Sequence, residues 1–234
     1  MRVYGGLKPE DWRRWGEFTT FKANAPELLL RALRPDQVIY CSPLVDPYQP
    51  AEESEQMMPR LLDAFLERPP RTLALQTRGP LILRDLDRLT ALARRVRLRV
   101  SFSLTTDRED VRRVYEPLCA PLQERLSAIR RLTAAGIPTY ATLAPLLPCN
   151  PEALLDMALE TTTGAIICDP FHVRAVKTSG ATTREVALRV SSRYGYDQWH
   201  DPGFQAEIVD RLRARARTAG RECEAGVSGF RLLT

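Results

Sequence analysis

Short apolar runs alternate with longer amphipathic segments through most of this chain of 234 residues. Runs rich in β-branched and aromatic residues predict strands over 38–44, 72–76, 96–104, 139–144 and 165–168. Apolar positions at helical spacing predict helices over 24–34, 51–68, 80–95, 108–115, 122–135 and 151–161. Two more are expected at 183–193 and 204–219. Strands spaced about 30 residues apart, each followed by a helix, must pair in parallel through crossover connections. The expected fold class is therefore α/β, with five parallel strands in sequence order and helices on the outside.

Local stop and start signals agree with this division. Gly136 before Ile137-Pro138 marks a helix C-terminus, and Asn150-Pro151 an N-cap followed by proline at the first helical position. Asp107 is the expected cap of the helix from Arg108. A chain of this length buries a substantial core, and one domain over 1–234 is expected.

Composition narrows the class without naming a chemistry. Hydrophobic residues make up 44% and charged residues 27%, ordinary values for a globular protein. No stretch approaches the roughly 20 apolar residues needed to span a bilayer, so no membrane association is expected. Residues 1–22 contain no apolar core of a secretory signal, which predicts a cytoplasmic location. The cysteines at 41, 119, 149, 168 and 223 form no CxxC or comparable pair, which predicts individually placed, reduced thiols. The two histidines are too few for a histidine-based metal site.

The net charge of +5 rests on arginine, with lysine only at Lys8, Lys22 and Lys177. Codon usage in a GC-rich gene would produce this, and so would a surface facing phosphates, because guanidinium binds phosphate bidentately. No basic run is interleaved with aromatics, so the charge alone leaves nucleic-acid binding open.

Phosphate-loop signatures GxGxxG and GxxxxGK[ST] are absent, as is the GxSxG nucleophile elbow. What does stand out is the polarity just after the predicted strands. Ser42 and Asp46 follow the first, Thr77-Arg78-Gly79 the second, and Ser103-Thr105-Thr106 the third. In βα barrels the working face lies at the carboxyl ends of the strands. Ser42, Asp46, Thr77, Arg78, Ser103 and Glu116 are accordingly expected to line one concave face.

Read in order, "FKANAPELLLRAL" (21–33), "VDPYQPAE" (45–52), "LALQTRGPLILRDLDRL" (73–89), "RLRVSFSLTT" (97–106), "YEPLCAPLQERLSAIRRLTAAGIPT" (115–139) and "ATLAPLLP" (141–148) resemble one family. It is the radical S-adenosylmethionine superfamily, in its spore photoproduct lyase-like branch, and the resemblance covers about residues 21–148. It implies a partial (βα) barrel, S-adenosylmethionine as cofactor, and a [4Fe-4S] cluster held by a C-x3-C-x2-C loop after the first strand. That loop is absent here, so the first strand and the cluster loop are expected to be missing from this chain. The implied function is reductive cleavage of S-adenosylmethionine and lyase chemistry of the DNA-repair type, with nucleic acid as the substrate class. The alternative is a barrel that binds a ligand without catalysis. Residues 170–234 form an unassigned, helical C-terminal region.

By the same resemblance, Cys41, Asp46 and Tyr48 are candidate catalytic residues, with Cys41 a candidate hydrogen-atom donor. Thr77, Arg78, Ser101, Glu116 and Arg125 are candidate cofactor-binding residues, and no metal ligand is assigned. Arg78 stands where the family has lysine, keeping the charge but adding a longer, planar fork. Each has a plainer alternative. The prolines and Asp46 would make a tight turn, Ser101 a buried hydroxyl bonded to backbone, Glu116 and Arg125 a structural ion pair, and Cys41 a small core residue.

Overall fold

The computed structural model describes residues 18–41, 45–173 and 186–234. Six strands form one parallel sheet in the order β1-β2-β3-β4-β5-β6. They are β1 (Val38–Cys41), β2 (Thr72–Thr77), β3 (Arg97–Ser103), β4 (Thr139–Leu146), β5 (Ile166–Pro170) and β6 (Cys223–Ala225). The sixth corrects the expectation of five. With three residues and a glutamate at its centre, it carries no periodicity, and it forms only because β5 offers it an edge.

The helices are α1 (Ala25–Ala32), α2 (Glu52–Glu55), α3 (Met57–Glu67), α4 (Leu86–Ala93), α5 (Glu109–Tyr115), α6 (Leu122–Ala134), α7 (Pro151–Thr161), α8 (Val186–Arg193), α9 (Pro202–Thr218) and α10 (Gly226–Arg231). Side chains alternate across a strand. On one side Leu73, Leu75, Val100, Phe102, Leu143 and Ile166 are buried against the helices. Burying each such side chain contributes about 2 kcal/mol. The other, inner side carries Tyr40, Ala74, Tyr140 and Ile167, met by Phe230 and Leu233 at the C-terminus. α10 and the residues after it thus fill part of the inner face, an element absent from the expectation.

Two predicted helices are interrupted. The 51–68 segment breaks at Gln56, whose φ of 49° is left-handed. The break has a donor–acceptor cause: the Glu52 carboxylate accepts from the N–H groups of Met57 and Met58, at 3.1 and 2.8 Å, and so restarts the helix as α3. The 80–95 segment opens as a 3-10 turn, Pro80–Asp85, before α4. Asp107 is not a helix cap. α5 begins at Glu109, and the Asp107 carboxylate instead accepts from the Asn150 N–H at 2.9 Å, tying two loops together. Asn150 does cap α7, accepting from Ala153 N–H at 3.0 Å. Gly136 ends α6 with φ 75°, as its position before proline predicts.

Candidate functional site

The loop after β1 is built around one carboxylate. Asp46 Oδ1 accepts from the Tyr48 N–H at 2.9 Å, closing a tight turn, and from Thr77 Oγ1 at 2.6 Å. Its Oδ2 accepts from the Arg78 N–H at 2.8 Å. The Thr77 hydroxyl in turn accepts from Gly79 N–H at 2.9 Å. Asp46 therefore fastens the β1 loop to the carboxyl end of β2. The two loops touch so closely that a Cβ on Gly79 would lie 2.5 Å from the Tyr48 carbonyl oxygen. Glycine is required there by space.

Held by this clamp, the Arg78 guanidinium donates to Glu116 Oε1 through a short ion pair. Glu116 Oε2 accepts from Arg125 Nη2 at 2.8 Å and from Thr105 Oγ1 at 3.0 Å. Arg125 is fully buried, its Nε donating to the Ala120 carbonyl at 2.9 Å. Its Nη1 is a buried donor with no hydrogen-bond partner among the described residues. One carboxylate, Glu116, thus serves two guanidinium groups, and with Asp46 bound to the Arg78 backbone the network holds two carboxylates against two guanidinium groups. Burial disfavours the Glu116 anion, but Arg78 and Arg125 outweigh it and hold its carboxyl below the usual carboxylate range. Burial likewise works against the Arg78 cation, and Glu116, with Cys119 and Asp46, more than offsets it.

On the inner face the strands continue the polar surface. Tyr40 Oη donates to Gln76 Oε1, and Gln76 Nε2 reaches Ser103 Oγ at 3.5 Å. The buried Ser101 and Thr142 hydroxyls bond to each other across β3 and β4. The carboxyl ends of β5 and β6 open on a cleft of about 550 Å³ lined by Asp169, His172, Gln205 and Arg213 among others. It stands beside β5 and β6, whereas Arg78 directly follows β2, so the cleft is not the cluster's own cavity.

The candidate residues are therefore not all in one place. Asp46, Thr77, Arg78, Glu116 and Arg125 form one connected network, and Ser101 lies on the inner face nearby. Ser103 joins through Gln76, and Ser42 lies outside the described residues. Cys41 and Tyr48 sit elsewhere. Cys41 pairs with Leu75 in register and shares its helix-packed side, where burial pushes its thiol up to about 12. Tyr48, 3% exposed, packs in the same core beside Asp85. Burial first, then that carboxylate, raise its phenol above the usual tyrosine range. Arg84 links the layer together, donating to Glu52 at 2.8 Å and to Asp85 at 3.0 Å.

Two contributors carry no sequence signal of their role. Thr105 belongs to the "SFSLTT" stretch, and its polarity is visible there, but not its aim at Glu116. Arg112 sits on α5, 6% exposed, and its Nη1 donates to the carbonyls of Glu116 and Cys119 at 3.0 and 2.8 Å. No spacing distinguishes it from the neighbouring surface arginines.

A [4Fe-4S] cluster does not fit these residues. All five cysteines are described, and they stand singly or, for Cys168 and Cys223, as a buried pair with sulfurs 3.9 Å apart. No group of three metal-ligating side chains converges among the described residues.

No family model matches the chain. Over 170 residues, 72% of this chain, it is 34% identical to an uncharacterized protein of Mycobacterium tuberculosis, of which the match covers 46%. It is 25% identical over 138 residues, 59% of this chain, to an uncharacterized protein of Methanocaldococcus jannaschii, of which 51% is covered. The chain thus spans about half the length of these curated relatives. Among solved structures, a point mutant of spore photoproduct lyase superposes with a TM-score of 0.58 at 14% identity, covering 87% of this chain and 64% of that one. A double mutant of the same enzyme, with bound AdoMet and dinucleoside spore photoproduct, gives the same values. The six parallel strands in one sheet match the partial barrel of the radical S-adenosylmethionine enzymes, and that likeness is one of fold.

Proposed function

We propose that the polar rim at the carboxyl ends of β2 and β3 binds S-adenosylmethionine. The observation that supports this best is the Arg78 guanidinium, part-exposed at the rim, held by Glu116 and positioned by the grip of Asp46 on the Arg78 N–H. A guanidinium fixed at a barrel rim suits a carboxylate, and the methionyl end of S-adenosylmethionine carries one. Arg78 would hold that carboxylate, with Glu116 orienting the guanidinium and Arg125 and Thr105 orienting Glu116. Gln76, part-buried and held by the buried Ser103 hydroxyl, offers an amide to the rest of the ligand. When bound, S-adenosylmethionine supplies a sulfonium whose carbon–sulfur bonds are its reactive ones.

Binding is as far as this chain's own residues carry the reading. Reductive cleavage needs three clustered thiolates, and the cysteines present do not supply them. For the chain as it stands this favours the ligand-binding alternative. The matched relatives are about twice the length of the segment they share with this chain, and lyase chemistry and its substrate are questions for a molecule of that full length.

Isothermal titration of the protein with S-adenosylmethionine is the test. Saturable binding is expected, weakened about tenfold or more by Arg78→Ala, a loss of at least about 1.4 kcal/mol, and partly restored by Arg78→Lys. No binding by the unaltered chain, or equal binding by Arg78→Ala, rejects the assignment. Anaerobic treatment of this chain with iron and sulfide should leave it without a four-iron chromophore. A stable cluster would show that the ligand count is wrong.

A further inference from the structure

Two of the five cysteines are in contact: the sulfurs of Cys168 and Cys223 lie 3.9 Å apart. β5 and β6 are parallel neighbours, with Ile166 opposite Cys223 and Cys168 opposite Ala225. Cys168 therefore stands two residues along β5 from the partner of Cys223, and alternation puts both thiols on the helix-packed side. Cys168 is fully buried and Cys223 is 6% exposed. Arg213 on α9 is held beside β6 by Glu224 at 2.9 Å. It lines the 550 Å³ cleft together with Asp169 and Ala225, which adjoin Cys168 along the chain and across the register.

Small buried cysteines are common in cores, but packing alone does not account for the electrostatics of this pair. The contact with Cys168, and after it the Arg213 guanidinium, hold the Cys223 thiol below the usual cysteine range against the effect of burial. The same contact, with burial, pushes Cys168 up. Cys41, Cys119 and Cys149 are all pushed up, in each case by burial first. Cys223 is thus the one cysteine placed to react as a thiolate, the nucleophilic form. A second thiol already touches it, the arrangement in which an oxidised sulfur is resolved to a disulfide.

We infer that Cys168 and Cys223 form a reversible oxidation site for hydrogen peroxide, closing to a disulfide between β5 and β6. The Cys223 sulfur attacks one peroxide oxygen, the O–O bond breaks, and the departing hydroxide takes the proton that Cys223 gave up. Cys223 is then a sulfenic acid. The Cys168 sulfur next attacks the Cys223 sulfur, the S–O bond breaks, and the hydroxide released takes the Cys168 proton. One peroxide is reduced to two waters while two thiols become one disulfide. The burial of both sulfurs suits an oxidant this small over a bulky disulfide. An S–S bond of about 2.05 Å requires the sulfurs to approach by about 2 Å. β6 can follow, because it has three residues, stands last in the sheet and pairs with β5 alone. The site is independent of the proposed S-adenosylmethionine site.

Titration of the unaltered protein with hydrogen peroxide, followed by peptide mapping without reductant, tests this. A cross-linked peptide joining Cys168 to Cys223 is expected, with loss of two of the five thiols and recovery of both on adding dithiothreitol. In Cys168→Ser, oxidation of Cys223 should stop at the sulfenic acid, trapped by dimedone. Cys223→Ser should leave Cys168 unmodified under the same treatment. The proposal is overturned if both residues remain thiols while Cys119 is oxidised, or if either one cross-links to another cysteine instead. Sulfinic acid at Cys223 without the cross-link overturns it as well. Mapping of the unaltered chain decides the matter even if a serine variant fails to fold.

Discussion

At the scale of single residues, the decisive feature is that one buried carboxylate answers two arginines. Glu116→Gln keeps the shape and removes the charge, leaving fully buried Arg125 without compensation. Breaking a buried pair in this way costs about 3–5 kcal/mol, measured as a drop in urea-unfolding free energy at neutral pH. The pH dependence has a definite sign. The Glu116 carboxyl titrates lower in the folded chain than in the unfolded one, so unfolding takes up its proton first. Its stabilisation is present above the unfolded value of about 4.3 and is lost as pH falls through the lower folded value. Stability of the unaltered chain should therefore decline more steeply on acidification than that of Glu116→Gln. Parallel acid limbs in the two proteins would deny Glu116 this role.

Elements are positioned here by loop contacts as much as by packing. Gly79 is where this can be tested, since its backbone passes directly beneath Tyr48. Gly79→Ala must displace one of the two loops, and overpacking of this kind costs about 1–3 kcal/mol. Differential scanning calorimetry should show a lowered melting temperature. Binding of S-adenosylmethionine should weaken as well, because Asp46 would lose its grip on the Arg78 N–H. A variant as stable as the parent would show that the loops move apart freely. The same contacts explain why 51–68 is two helices: Glu52 spends its carboxylate on the start of α3 and on Arg84.

For the molecule as a whole, the C-terminus closes part of the inner face. Phe230 and Leu233 meet Tyr40, Ala74, Tyr140 and Ile167 there, and Arg99 donates to the Leu232 carbonyl while lying 5.7 Å over the Tyr140 ring. Removing residues 226–234 should expose that apolar ring and withdraw the fully buried Leu233, at a cost of about 2–3 kcal/mol. Raised fluorescence of a bound hydrophobic dye and a lower melting temperature are the expected readouts. An unchanged melt would mean that the C-terminus rests on the sheet without supporting it.

What the chain's order of residues determined unaided is the alternation of strands and helices and, from it, the parallel sheet. Hydrophobic periodicity is a local property, and long crossovers leave parallel pairing as the solution. The polarity of the strand ends was legible for the same reason, and Asp46, Thr77 and Arg78 stand out in it, whereas Arg125, inside α6, was pointed to only by the family resemblance. Only the tertiary structure decided what these groups touch. Asp46 binds the backbone of Arg78 rather than its guanidinium, Thr105 joins Glu116, and Arg112 anchors the loop. Cys41 and Tyr48, one residue and two residues from polar candidates, went to the helix-packed side. A strand's alternation assigns opposite faces to neighbours, but which face is inner depends on where the helices pack. β6 and α10 are invisible in the sequence because three residues and six are too short to carry a period, and they are held by the sheet they complete.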